Sequence, residues 1–173
     1  MSAFTIYQSP QDIANKLFRE AERMLNGRSR EDVADHLFNF CVTNTALRDW
    51  TFEATKKSKS DNATMTAWRA RANGLFGDFA DIGNSGKHLH LKAQQATTKH
   101  SQMQVVAISG YGIHPELTKN QQTFLIIRPD GTEVDLWKAF YMINQEWQQI
   151  FYDELGTTLP NYFEVIQETA YFI

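Results

Sequence analysis

Apolar residues recur at helical spacing through the first half of the chain and at strand spacing in part of the second. Ile13, Leu17, Ala21, Met24 and Leu25 follow steps of three and four and predict a first helix. Ser9, Pro10 and Asp12 mark its start: a capping hydroxyl, a proline suited to the first helical position, and a carboxylate three residues past the cap. Asn26-Gly27 ends it. Ser29 and Asp32 repeat the capping device, and Val33, Leu37, Phe40, Cys41, Leu47 and Trp50 give a longer second helix a broad apolar face. A polar loop, KKSKSDN, covers residues 56 to 62. Trp68, Ala72, Leu75, Phe79, Ile82, Gly86 and Leu89 then alternate steps of four and three. That spacing predicts a third helix running from Asp61 straight through its glycines, against a propensity cost of roughly 1 kcal/mol each.

Beyond Thr97 the period changes. Val105, Val106 and Ile108 predict a strand, followed by a loop with Gly110, Gly112 and Pro115. TFLII (123–127) and TEVDL (132–136) flank RPDG, whose Pro-Asp-Gly is a turn signal. Leu136, Phe140, Ile143, Trp147 and Ile150 predict a fourth helix. Phe4 to Tyr7 reads as a short extended start. The tail TTLPNYFEVIQETAYFI is apolar enough to dock, with helix and strand both open. The expected architecture is one mostly helical α+β domain over residues 1–173. It has an antiparallel helical bundle over 9–98, then a small antiparallel β-sheet and a closing helix over 101–173.

Composition narrows the function classes. Hydrophobic residues make up 42% and charged residues 21%, a globular balance. The net charge of −3 and pI of about 5.9 argue against a global grip on nucleic acid, and no DNA partner is expected. One cysteine, Cys41, excludes an intramolecular disulfide and a cysteine-based structural zinc site. No run approaches a membrane span and the N-terminus has no leader pattern, so the expected location is the cytoplasm.

The densest candidate chemistry lies in DIGNSGKHLHL, residues 81 to 91. With residues about 100° apart on a helix, Gly74, Gly77, Asp81, Asn84, Ser85 and His88 share one face, away from the apolar stripe. Small residues beside Asp, Asn and His suit close approach by a helix, a second subunit or a ligand. In a catalytic reading His88 is the general acid or base, oriented by Asp81 or Asn84, with Lys87 neutralising an anion. The structural alternatives are a glycine-lined helix contact with Asp81 and His88 as a buried pair, or a basic helix end from Lys87 through His90. Asp32, His36, Asp49 and His88 could build a metal site between helices, but no spacing fixes a ligand set and neither metal nor cofactor is expected. No G-x-S-x-G, P-loop or dinucleotide fingerprint is present. Local basic clusters, Lys56, Lys57 and Lys59 in one loop and Lys87, His88, His90, Lys92, Lys99 and His100 in another stretch, could meet RNA phosphates or simply be solvated.

LRDW (Leu47 to Trp50) and DIGNSGKH (Asp81 to His88) together resemble a loose group of bacterial and phage proteins that carry an L-R-D-W-like segment followed by D-I-x-N-x-x-K-H. The helical part is in turn similar to HEPN-type bundles, over residues from roughly 30 to 92. The resemblance implies a dimeric, metal-independent ribonuclease or, in inactive members, a protein- or RNA-binding role in phage–bacterium conflict and toxin–antitoxin systems. The family motif is Arg, four to six residues, then His. Arg30 to His36 matches it at the start of the second helix; where the motif usually sits, this chain carries Asn84, Lys87 and His88 and no Arg. If the second and third helices are antiparallel neighbours, Arg48 could supply that guanidinium from the second helix. The expected function is a non-catalytic module, self-associating through its glycine face and binding protein or RNA through residues 74–92. Gly74, Gly77, Ser85 and His90 are the expected binding residues. The alternative is a HEPN-like endoribonuclease using His88, Lys87, Asp81, Asn84 and Arg48.

Overall fold

A computed structural model of the chain describes residues 5–85, 95–109 and 112–160, with the side chains of 104–119 left out. It is a mostly helical α+β fold: four packed helices, a three-stranded antiparallel sheet and a closing helix. The first helix, α1 (Pro10–Leu25), starts as its sequence dictates. The Ser9 hydroxyl accepts from the Asp12 amide, and Asp12 Oδ2 accepts from the Ser9 amide at 2.9 Å. Thr5 and Ile6 stand in a turn rather than an extended start. The Gln8 amide and side chain, bonded to Asp12 and to the Thr5 carbonyl, fold the entering chain onto the cap. Phe4 lies outside the described residues.

The second helix, α2 (Arg30–Ala54), buries Val33, Leu37, Phe40, Cys41 and Leu47 as their spacing predicts. Its N-cap is Ser29, again bonded to the amide three residues on. The predicted third helix is two. α3 (Asn62–Ala70) and α4 (Leu75–Ser85) meet at an elbow in which Ala72, Asn73 and Gly74 all have positive φ. Three left-handed residues in succession cannot continue an α-helix. The predicted stripe still faces inward: Trp68, Ala72, Leu75, Phe79 and Ile82 are all buried. Gly86 and Leu89 lie outside the described residues.

The sheet is longer than predicted and begins earlier. β1 (Thr97–Ser109) and β2 (Gly112–Ile127) pair from Thr97↔Ile127 to Ser109↔Gly112, with a bulge between Val105 and Ala107. Residues 97 and 98, assigned above to the bundle, belong to the sheet, and the predicted loop holding Gly112 and Pro115 is the start of β2. The polar run TTKHSQMQ carries no apolar alternation, so only its pairing with β2 makes it a strand. The turn at RPDG forms as predicted, with Gly131 at φ +83. It leads to β3 (Glu133–Asp135), which pairs with Leu125 to Ile127.

Asp135 then caps α5 (Leu136–Leu155), which ends at a left-handed Gly156. Leu136, Phe140, Ile143, Trp147 and Ile150 face the core as predicted. Trp147 is fully buried, its ring centroid 5.2 Å from those of Trp68 and Phe76, and its Nε1 donates to Asn44 Oδ1 at 2.8 Å. Burying large rings, each contributing about 2–3 kcal/mol, ties α2, α3, α4 and α5 into one core. The tail after Pro160 lies outside the described residues. No described helix is long and apolar enough to cross a membrane.

Candidate functional site

The elbow between α3 and α4 is built from two arginines, two glycines and two aspartates. Gly74 and Gly77 each precede an aspartate by four residues, giving Gly74…Asp78 and Gly77…Asp81. Arg128, just past β2, crosses Gly74: its Nη2 would lie 3.5 Å from a Cβ there. Arg128 Nε donates to Asp78 Oδ2 at 2.8 Å and its Nη2 donates to the Asn73 carbonyl at 2.6 Å. Arg69, from α3, lies against Gly77, where a Cβ would meet its carbonyl oxygen at 3.1 Å and its Cζ at 3.5 Å. Its Nη2 donates to both oxygens of Asp81, each at 2.9 Å. In both cases a missing side chain makes room for a guanidinium and an aspartate one turn on receives it.

The two pairs differ in exposure. Arg128 and Asp78 are both largely enclosed, whereas Arg69 keeps 43% of its side chain exposed above a buried Asp81. Burial pushes the Asp78 carboxyl above its ordinary range; the hydrogen bond and charge of Arg128 oppose this, and the neighbouring Asp81 adds to it. The glycines predicted to receive a second subunit are therefore covered from within the chain. The space left by the missing side chains is occupied by Arg69 and Arg128.

The other predicted residues divide. Asn84 is exposed at the end of α4, and the Ser85 hydroxyl donates back to the Ile82 carbonyl at 2.6 Å. Lys87, His88 and His90 lie outside the described residues. α4 does run antiparallel to α2: Gly83 rests on Cys41, while Phe76 at the other end reaches Phe52 through the Trp68 ring. The register, however, sets Cys41 opposite Gly83. Arg48 is seven residues further along α2, about 10 Å away on the helix axis and in the direction leading away from Ser85. Its guanidinium is bonded to Asp49 at 2.7 and 2.9 Å, and Lys59 holds the other Asp49 oxygen. Arg48 and Asp81 are thus bonded to different partners, Asp49 and Arg69.

Of the residues considered for a metal, Asp32 and His36 are neighbours, Asp49 stands apart from them, and His88 lies outside the described residues. His36 Nδ1 stands 3.1 Å from Glu20 Oε2 and its Nε2 lies 3.7 Å from Asp32. Asp49 is thirteen residues further along the same helix, about 20 Å away. Among the described residues no cluster of three or more His, Cys, Asp or Glu side chains is arranged to hold a metal ion. Cys41 is fully buried, and burial pushes its thiol well above the ordinary range, which makes it inert.

Arg69, Asp78 and Arg128 were not anticipated. Asn73-Gly74 is a turn dipeptide and was the available signal for the elbow, and the repeated Gly-x-x-x-Asp was legible in the sequence. Nothing local pointed to Arg128, fifty residues from Asp78. No protein-family model matches the chain, and no curated protein or solved structure matches it significantly.

Proposed function

We propose that the chain is a non-catalytic interaction module whose partner is a protein, held at the α3–α4 elbow and at the exposed end of α4. The observation that carries this reading is the engagement of Asp81. Both of its oxygens accept from Arg69, so it anchors a guanidinium. Arg69 in turn presents a fixed, partly exposed cation, with Asn84 exposed toward the end of α4. A pre-organised arginine on a small-residue surface is a common anchor of protein interfaces. The net charge of −3 and the pairing of Arg48 with Asp49 weigh against RNA as the partner.

Two measurements test this together. Labelled single-stranded RNA and tRNA are incubated in EDTA with wild type and with His88→Ala, and neither protein is expected to cleave or retain RNA. Immobilised wild type is then compared with Arg69→Ala, Asn84→Arg and, as a control on a distant loop, Arg28→Ala in extract of the encoding cell. A protein held by wild type and Arg28→Ala is expected to be lost from the other two. Cleavage by wild type that disappears in a folded His88→Ala protein overturns the module in favour of a HEPN-like ribonuclease. Retention of RNA without cleavage replaces protein by RNA as the partner.

A further inference from the structure

The outward face of α5 carries Lys138, Tyr141, Gln145, Gln149 and Tyr152, with the half-buried Gln148 and Leu155 along its edge. Tyr141 and Tyr152 are 45% and 68% exposed. A solvated helix face ordinarily carries Lys and Glu; this one has no charged side chain between Lys138 and Asp153. Charge depletion with exposed tyrosines is the composition of an interface core. Gln145 donates to the Tyr141 hydroxyl and Gln149 to Asp153, both at 2.6 Å, which fixes the stripe from within. A groove of about 390 Å³ runs beside it, lined by Gln145, Gln148, Gln149, Tyr152, Thr158 and Leu159.

We infer that this face seats a second copy of the chain, α5 against α5, antiparallel about a two-fold axis between Glu146 and Trp147. The spacing carries the argument. Tyr141, Gln145, Gln148 and Tyr152 are separated by four, three and four residues, the same read from either end. An isologous contact requires such self-complementarity, and the 4-3-4 step is the seam spacing of paired helices. Tyr141 of one copy meets the partner's Tyr152, and Gln145 meets the partner's Gln148. Each projecting Tyr141 ring enters the groove beside the partner's Tyr152.

Charge selects the antiparallel arrangement. Lys138 and Asp153 lie on the same side of the seam at opposite ends. The antiparallel pair sets Lys138 beside the partner's Asp153 and the carboxyl end of its helix, where a cation is favourable. A parallel pair would leave Lys138 and the partner's Asp153 at opposite ends of the seam, about 22 Å apart along the axis, with no such pairing. The seam spans only about 16 Å between its tyrosines, so the dimer is expected to dissociate on the order of micromolar concentration. This inference is independent of the reading of the elbow.

Sedimentation of the full chain over a concentration series is the test. Wild type is expected to pass from monomer to dimer. Tyr152→Glu is expected to weaken the dimer about tenfold or more. Lys138→Glu and Asp153→Lys each weaken it about two- to fivefold, and the two together restore it. All are exposed positions where folding is easily verified by circular dichroism. For orientation, a mixture of Tyr141→Cys and Tyr152→Cys proteins is expected to form a disulfide on oxidation. Neither alone should, because like positions sit about 16 Å apart along the axis; Cys41 is buried and does not compete. A monomer at every concentration overturns the inference, as does a dimer indifferent to these substitutions or self-linking of Tyr141→Cys. A monomeric wild type beside a dimeric chain ending at Pro160 would assign the seam to the chain's own residues 161–173.

Discussion

At the residue scale the chain places carboxylates in two kinds of burial. Asp78 and Asp81 are held by arginines crossing glycines, whereas Glu20 on α1 is gripped from three directions: Arg23 at 3.0 Å, His36 at 3.1 Å and Lys16 at 3.3 Å. Burial raises the pKa of Glu20, but the His36 hydrogen bond and the charges of Lys16 and Arg23 outweigh it, leaving the carboxyl below its ordinary 4.5. A group with a depressed folded-state pKa stabilises the fold above its unfolded value, and loses that contribution as pH falls through the folded one. Glu20→Gln is therefore expected to cost about 1–2 kcal/mol at pH 7. The gap from wild type should shrink as pH falls below 4.5, measured by urea denaturation at each pH. A gap that stays constant into acid would mean the carboxylate charge contributes nothing and only packing is lost. Glu20 could not have been singled out from sequence, since its partner His36 is sixteen residues away and the link is tertiary.

At the element scale, the α2–α4 crossing depends on a glycine whose internal role the sequence only half announced. A Cβ at Gly83 would lie 3.2 Å from Cys41 Cβ and 3.3 Å from the Cys41 carbonyl carbon. Those atoms belong to the facing helix itself and cannot swing aside, so the helices must part. Gly83→Ala gains about 1 kcal/mol of helix propensity and loses about 2 in packing. The expected outcome is a net loss of about 1 kcal/mol, read as a lower urea midpoint; a raised midpoint would show that the crossing yields freely. The same elements show what was legible. The stripe from Trp68 to Ile82 predicted which residues are buried, because the side chains must reach one core whether one helix or two carry them. It did not predict the elbow, because burial spacing is blind to backbone conformation while Asn73-Gly74 is not. Likewise the apolar residues 123–127 and the RPDG turn were readable locally. The strand from Thr97, held by its pairing with β2, was not.

At the scale of the whole molecule, two devices fasten the sheet to the helices. α5 packs its apolar face into the bundle and starts directly from β3. Arg128 reaches from the end of β2 to Asp78 on α4 and to the Asn73 carbonyl at the elbow. Because Asp78 is mostly buried and burial already raises its pKa, its charge depends on that guanidinium. Arg128→Met leaves the carboxylate enclosed without a cation and is expected to cost about 3 kcal/mol at pH 7. Raising Asp78 further, it should make the variant regain stability toward acid, because a folded-state pKa above the unfolded 3.8 favours the fold as pH falls through that window. Asp78→Leu combined with Arg128→Met should recover most of the loss, since an apolar pair replaces an ion pair that was costly to desolvate. With the clasp cut, α5 still joins both halves through a continuous core. Tryptophan fluorescence, dominated by the helical half through Trp68 and Trp147, and backbone circular dichroism are therefore expected to lose signal at the same urea concentration in every variant. Separation of the two transitions in Arg128→Met alone would assign the coupling between sheet and bundle to the Arg128 clasp instead of to α5.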